Sequence, residues 1–259
     1  MKAYYNEFDP FAAQWLRNLI NGGHIAPGDV DERSIEDVKP SDLHGYTQCH
    51  FFAGIGVWSY ALRQSGWTDD RPVWTGSCPC QPFSTAGKRN GVADERHLWP
   101  AWFHLIEKCR PSVVFGEQVS SAVGKGWLDT VAEDLEGCSY SFGTADIAAA
   151  CAGARHIRRR IWFVADSYKN DVWGNTRKTH GEKGAIIQCE KPQGYGSGFG
   201  HTVALRGKDG VDREVPASCI PLLVNGSPNG VGRHGAYGNA IHAQTAQAFI
   251  ESYMQYTKQ

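Results

Sequence analysis

Cys80 stands in the stretch Gly-Ser-Cys-Pro-Cys-Gln-Pro-Phe-Ser (76–84), between two prolines and just ahead of a loop carrying Lys88, Arg89 and Arg96. The thiolate is the nucleophilic form of cysteine, and nearby positive charge favours it. Cys80 therefore reads as a nucleophile presented at a strand tip to a polyanion. A second basic run, "RHIRRR" at 155–160, precedes the apolar segment "IWFVA"; its ordinary reading is a solvated basic face. The run "FAGIG" (Phe52, Ala53, Gly54, Ile55, Gly56) places two glycines where a strand turns into a helix. Glycines there let a ligand approach the backbone closely, and on this run alone a dinucleotide would serve as well as any other adenosine-bearing cofactor. Glu117 ends the apolar run "PSVVFGEQV" (111–119).

The elements that must hold these residues follow from periodicity. Short β-like runs alternate with amphipathic helical ones from the start of the chain through "RIWFVAD" (160–166). That is the pattern of an α/β protein with a largely parallel sheet. Residues 2–8 read as a strand. The segment from Asp9 to Gly23 reads as a helix capped by Asp9, with Pro10 in its first turn and an apolar stripe of Phe11, Trp15, Leu16, Leu19 and Ile20. "QCHFFAGIG" (48–56) reads as strand and turn, "VWSYALRQSGW" as a helix stopped at Gly66, and 71–77 as the strand that delivers Cys80. "PAWFHLIEKC" and "GWLDTVAEDLEG" are helical, while "SYSFGTADI" and "RIWFVAD" form two more strands, antiparallel to each other at the sheet edge. From about 167 to 215 glycines and mixed charges without a sustained period imply an irregular or small β-rich lobe. "GNAIHAQTAQAFIESYM" returns to a helical pattern.

Composition narrows the class. A chain of 259 residues with a hydrophobic fraction of 41% can bury a sizeable core as one large domain, or as a core with a smaller lobe. No apolar run approaches the ~18 residues of a membrane span, and "MKAYYNEFDP" lacks the layout of a signal peptide, so a cytoplasmic location is expected. The eight cysteines (49, 78, 80, 109, 138, 151, 189, 219) show no metal-binding spacing and read as reduced thiols. Net charge is −1, so any nucleic-acid contact must come from local patches.

Taken together, these motifs resemble those of the cytosine-C5 DNA methyltransferases. "FAGIG" resembles the glycine-rich cofactor motif, "PCQPFS" (79–84) the catalytic motif and "GKRNGVADERHLW" (87–99) the mobile loop that follows it. "GEQV" (116–119) stands where the family has Glu-Asn-Val, "ARHIRRRIWFV" (154–164) resembles the Pro-Gln-x-Arg-x-Arg motif, and "YGNAI" (237–241) the closing Gly-Asn-Ala motif. They fall in the family's order. The interval between "FAGIG" and "PCQ", positions 57 to 78, is too short for the two βα units the family places there. "YYNEFDPFAAQWLRNLI" (4–20) and "PGDVDERSIEDV" (27–38) resemble the missing motifs. The resemblance thus implies a Rossmann-like S-adenosylmethionine-dependent methyltransferase sheet with permuted strand order: the two N-terminal strands on one side of the glycine-motif strand, the catalytic strand on the other.

The same resemblance implies roles. S-adenosylmethionine would be held by residues 52–56, by Glu7 at the ribose and by Asp29 or Asp31 at the adenine, with Pro79, Asn239 and Ala240 close by; for Asn239, capping the last helix is the plainer role. Cys80 would add to C6 of a cytosine flipped out of duplex DNA. Glu117 would hydrogen-bond N3 and the exocyclic amine, and Arg158 and Arg160 would hold the base O2 and a phosphate. Gln81, Ser84, Lys88, Arg89 and Arg96 would meet the DNA as the loop closes. The chain departs from the family at His50 (usually an acid), at Arg155 and His156 (usually Pro and Gln) and at Gln118 (usually Asn). Residues 1–166 are expected to form the catalytic core, 167–225 a small target-recognition lobe with a short recognition sequence, and 226–259 a helix returning to the core. The expected enzyme is a small prokaryotic or phage-type monomer that uses no metal. An RNA cytosine methyltransferase, a catalytically impaired DNA-binding relative and a thiol-dependent NAD enzyme are the alternatives.

Overall fold

A computed structural model describes residues 2–79, 98–120, 126–154, 158–167 and 240–257, together with the backbone of 202–206 and 212–216. In chain order the strands of the main sheet are β1 (Ala3–Asn6), β2 (Gly28–Asp31), β3 (Gln48–Phe51), β4 (Val73–Gly76), β5 (Val113–Val119), β6 (Ser141–Ala148) and β7 (Arg159–Asp166). The helices are α1 (Pro10–Asn21), α2 (Val57–Gln64), α3 (Trp99–Cys109), α4 (Trp127–Gly137) and α5 (Ala243–Tyr256). A separate hairpin, β8 (Thr202–Arg206) and β9 (Asp212–Pro216), lies within the segment expected to be irregular or β-rich.

The sheet runs β2-β1-β3-β4-β5-β7-β6. β1 to β5 are mutually parallel, and β7 is antiparallel to both β5 and β6. The two N-terminal strands thus lie on one side of β3 and β4 on the other, the neighbours expected from the sequence. β6 and β7 pair antiparallel, also as expected, with β6 as the edge strand.

Local chemistry explains the helix ends. Asp9 caps α1, accepting from Ala12 N at 2.9 Å, and Pro10 occupies the first turn, where its missing N–H costs nothing. The buried face of α1 is Ala12, Ala13, Trp15 and Leu16, with Leu19 and Ile20 partly covered; Phe11, counted in the expected stripe, is only half-buried. α2 starts at Gly56, whose φ of +78° is open only to glycine without strain, and a Cβ there would sit 3.1 Å from Leu16 and Ile25.

Alternation along the strands sorts the core into two layers. Tyr4, Cys49, Phe51, Trp74 and Val114 point to one face, under α3, α4 and the connector 32–47 that carries Ile35, Val38 and Leu43. Ala3, Tyr5, Val73, Val113 and Phe115 point to the other, under α1, α2 and α5. The eight described tryptophans are all buried, seven of them in these two clusters, and aromatic contacts such as Trp58 with Trp162 at 5.4 Å tie helix to sheet.

These layers fix the sense of each crossover. β1→α1→β2 runs toward the β2 edge on the α1 face. β2→β3, β4→α3→β5 and β5→α4→β6 run the other way on the opposite face, which is the same hand. β3→α2→β4 runs toward β5 on the α1 face, so it alone has the reverse hand. Since such connections are right-handed in about 98% of cases, β3→α2→β4 is the left-handed exception. Its helix stays beside α1 and then leads into the strand on the far side.

Candidate active site

The described candidates other than Asp29 converge on the rim at the carboxyl ends of the parallel strands, where open α/β sheets bind ligands. Three strand ends build one side of this rim. After β1, Glu7 turns in toward β3: its Oε2 accepts from Gly54 N at 2.6 Å and its Oε1 from Asp9 N at 2.9 Å. Burial raises its pKa, and the two backbone N–H groups pull against that rise without cancelling it. After β3, Phe52 and Gly54 both lie in the left-handed region, at φ +50° and +55°. Phe52 bears real backbone strain, held by the bond from Ala53 N to Asn6 O at 3.0 Å. A Cβ on Gly54 would meet nothing within 4 Å, so the turn faces open space. The cleft beyond it is lined by Phe52, Gly54, Val57, Trp58, Ser77 and Ala240, among others. A bare, upturned backbone beside a half-buried carboxyl would suit an adenosyl group, whose ribose hydroxyls can donate to a carboxylate. No metal-holding cluster occurs among the described residues.

After β2, the two aspartates separate. Asp31 stands at the rim, in register with Asn6, and its carbonyl accepts from Glu7 N at 3.0 Å. Its carboxylate takes Tyr4 OH at 2.7 Å and the Arg33 guanidinium at 2.7 Å, while Arg33 also reaches Asp42 at 3.0 Å. Burial works against ionisation of Asp31, but these donors outweigh it and hold its pKa below the usual carboxylate range. Asp29 lies two residues back from the rim, bound by Lys2 at 2.9 Å and Tyr46 OH at 2.8 Å; those two bonds lower its pKa. The register therefore puts Asp31, rather than Asp29, next to Glu7. No sequence signal announces Tyr4 and Tyr46 in these roles, because partners so distant along the chain leave no local spacing to read. Arg33 is different: it stands close to Asp31 in the sequence, and an acid–base pair at that spacing is a signal that could have found it.

On the other side, β4 ends at Gly76 and leads through Ser77 and Cys78 to the exposed Pro79. Cys80, Gln81, Ser84, Lys88, Arg89, Arg96, Asn239, Arg155 and His156 lie outside the described residues. Gln118, buried, donates its Nε2 to Cys78 O at 3.1 Å and accepts Val119 N at 2.9 Å. It thus ties β5 to the backbone two residues ahead of Cys80. Glu117 lies directly opposite Trp162 on β7, so the two share a face, and Arg160 and Arg158, two and four residues earlier, fall on that face too. Arg160 Nε lies 2.8 Å from Glu117 Oε1. Burial, with Glu117 only 7% exposed, raises its pKa against the pull of the Arg160 and Arg158 charges. Burial also lowers the pKa of Arg158, reinforced by the neighbouring Arg160.

His50, where an acid was expected by resemblance, points into the α1–α2 layer. It stacks on Tyr5 at 4.9 Å, with Nδ1 2.8 Å from Thr75 Oγ1. Burial drops its pKa to about 3, so it is a neutral core imidazole.

A seven-stranded, mostly parallel sheet with one reversed strand beside its edge, and an open glycine turn at its rim, defines a Rossmann-like methyltransferase fold. Residues 68–187 match the C-5 cytosine-specific DNA methylase family. It is 31% identical over 107 residues to the Type II methyltransferase M.NgoMIV of Neisseria gonorrhoeae, covering 40% of this chain and 34% of that one. It is 30% identical over 95 residues to the Type II methyltransferase M.AplI of Arthrospira platensis, covering 36% and 28%. The match thus spans about a third of the length of these curated relatives. Among solved structures, the S. pombe Dnmt2 methyltransferase overlaps 70% of this chain and 57% of that chain, at 14% identity and a TM-score of 0.41. That likeness adds nothing to what the sheet itself shows.

Proposed function

We propose that the protein is a DNA cytosine-C5 methyltransferase that uses S-adenosylmethionine and forms a covalent adduct between Cys80 and its target base. The observation that carries this reading is the meeting at one rim of the open Gly54 turn, the Ser77–Pro79 segment that delivers Cys80, and Glu117 with its two arginines. S-adenosylmethionine, when bound, supplies an electrophilic methyl group. Glu7 and Asp31 hold its adenosyl end, with Ala240 closing the cleft.

The rest is done by the chain. Cytosine C5 is too weak a nucleophile to take a methyl unaided. Attack of the Cys80 thiolate on C6 forms an S–C bond and turns the C5 side into an enamine. Glu117, whose proton is held more tightly than an ordinary carboxyl holds one, hydrogen-bonds N3 and the exocyclic amine, so charge entering the ring is met by a donor. After C5 gains its methyl, loss of the C5 proton restores the double bond and expels Cys80. Arg158 and Arg160 steady the base O2 and its phosphate. The base reaches this rim by leaving the stack. Gln81, Ser84, Lys88, Arg89 and Arg96 meet the strand. Residues 167–225, which include the β8–β9 hairpin, read the sequence from the groove. The strand order supports a further point: relative to the family, residues 1–47 are a transposed block.

The experiment is transfer of a radiolabelled methyl to cytosine-containing duplex DNA. We expect incorporation, its loss in Cys80→Ala, and a denaturation-resistant adduct of the unsubstituted protein with 5-fluorocytosine DNA. Incorporation persisting in Cys80→Ala would refute the covalent route.

A further inference from the structure

We infer that Asn6 is a positioning residue: its side-chain amide holds the turn after β2 against the end of β1, and it acts on the cofactor through that turn. The functional meaning rests on the reading of this rim as the S-adenosylmethionine site. Asn6 is the last residue of β1, paired with Asp31 on β2 and with Phe51 on β3. Its main chain and side chain reach opposite ways. The carbonyl accepts from Ala53 N at 3.0 Å, in the glycine turn. The amide Nδ2 donates to Arg33 O at 2.9 Å and lies 3.4 Å from Asp31 O.

The partners dictate the residue type. Both groups facing the amide are main-chain carbonyls, which only accept, so the NH2 end must face them. A carboxylate in its place would set a charge against two acceptors. Asn6 is only 3% exposed, so bulk water cannot take over the bond when the amide is removed.

The next residue repeats the pattern. The Glu7 carboxyl accepts from Gly54 N, and its own N–H donates to Asp31 O. Positions 6 and 7 thus bridge the glycine turn and the Asp31 turn twice. Tyr4, on the same face of β1 as Asn6, donates to the Asp31 carboxylate at 2.7 Å. Arg33 grips that carboxylate through its backbone N at 3.0 Å and its guanidinium at 2.7 Å. Tyr4 therefore holds the side chain of this turn and Asn6 its main chain. Without the amide, Arg33 O loses its donor in a partly buried place, and the turn relieves this by swinging the carbonyl toward water. The Arg33 N–H and guanidinium then lose their aim at Asp31, and Asp31 its fixed place beside Glu7.

The test uses the full-length protein and begins without cofactor, with hydrogen exchange at two backbone amides. Arg33 N–H is bound by Asp31 Oδ1, and Ala53 N–H by the main chain of Asn6. In Asn6→Leu, which keeps the size and removes the donor, the Arg33 amide should exchange about tenfold faster while the Ala53 amide stays within about twofold. Equal acceleration at both, the mark of a merely less stable fold, would overturn the inference, as would an unchanged Arg33. Titration calorimetry with S-adenosylmethionine then closes a double-mutant cycle. Asn6→Leu should weaken binding about tenfold in the natural chain, but less than about twofold in Asp31→Ala, where the group that Asn6 steadies is already gone. An equal loss in both backgrounds would show that Asn6 does not act through the turn. If the unsubstituted protein binds no S-adenosylmethionine, the proposed function falls, while the Arg33 exchange still decides whether Asn6 holds the turn. Asn6→Ala takes the same comparisons should Asn6→Leu not fold.

Discussion

Glu7 shows how one carboxyl can be fitted for a ligand before the ligand arrives. Its two oxygens already face the N–H groups of Gly54 and Asp9, and burial holds its proton more tightly than water would. The folded state therefore binds this proton better than the unfolded one, so Glu7's contribution to stability is greatest at low pH. That contribution is lost as pH rises through the folded pKa. Binding runs the opposite way, because the ionised form is the better acceptor for ribose hydroxyls. Affinity for S-adenosylmethionine, measured by titration calorimetry, should fall on acidification at a higher pH than an exposed glutamate would allow. In Glu7→Gln it should be at least about tenfold weaker and flat across that range, the loss expected for a hydrogen bond to a charged group. An affinity independent of pH in the unsubstituted protein would remove Glu7 from the ribose.

At the scale of elements, the rim is held together by strand-end side chains reaching sideways. Gln118 is the clearest: it fastens β5 to the carbonyl of Cys78 on the neighbouring chain segment. Gln118→Ala leaves that carbonyl and Val119 N without their partner in a buried place, so urea unfolding should show a loss of about 1–3 kcal/mol. Adduct formation with 5-fluorocytosine DNA should slow at unchanged affinity for the cofactor, since Gln118 lies on the β5 side and not at the glycine turn. Much of this layer was legible. The apolar runs of β3, β5 and β7, the caps of α1 and the strand leading to Cys80 were all read from apolar pattern and turn residues. β2 did not, because Gly-Asp-Val-Asp carries one apolar residue and has no period to read; only its resemblance to a family motif pointed to it. The hydrogen bond from Trp58 Nε1 to Ser77 Oγ was equally hidden: neither residue is unusual where it stands, and their meeting depends on α2 lying over β4.

At the scale of the molecule, the strand neighbours are those expected, and β3→α2→β4 is a crossover of the uncommon hand. The order itself was readable, since the short interval between "FAGIG" and "PCQ" leaves no room for two βα units. The handedness was not, because it depends on which face α2 covers. A rearranged chain that runs 47–67, then 1–46, then 68–259, joined by short flexible linkers, would keep every strand in place and give each crossover the common hand. It should bind S-adenosylmethionine as the natural chain does and refold faster in stopped-flow experiments, long-range strand docking being slow when the connection is unfavourable. A rearranged chain that failed to fold would show that chain order, and not packing, maintains this sheet.

That same order has a consequence during synthesis. β1 and β2 leave the ribosome ahead of the strand that lies beside them, and the last residue of β3 follows that of β2 by 20 positions. At about 5–20 residues per second, the pair waits some seconds with one hydrogen-bonding edge unpaired and Tyr4 and Tyr5 bare. Nascent chains of this protein should therefore lean on chaperones early, at the very segment proposed to hold the methyl donor.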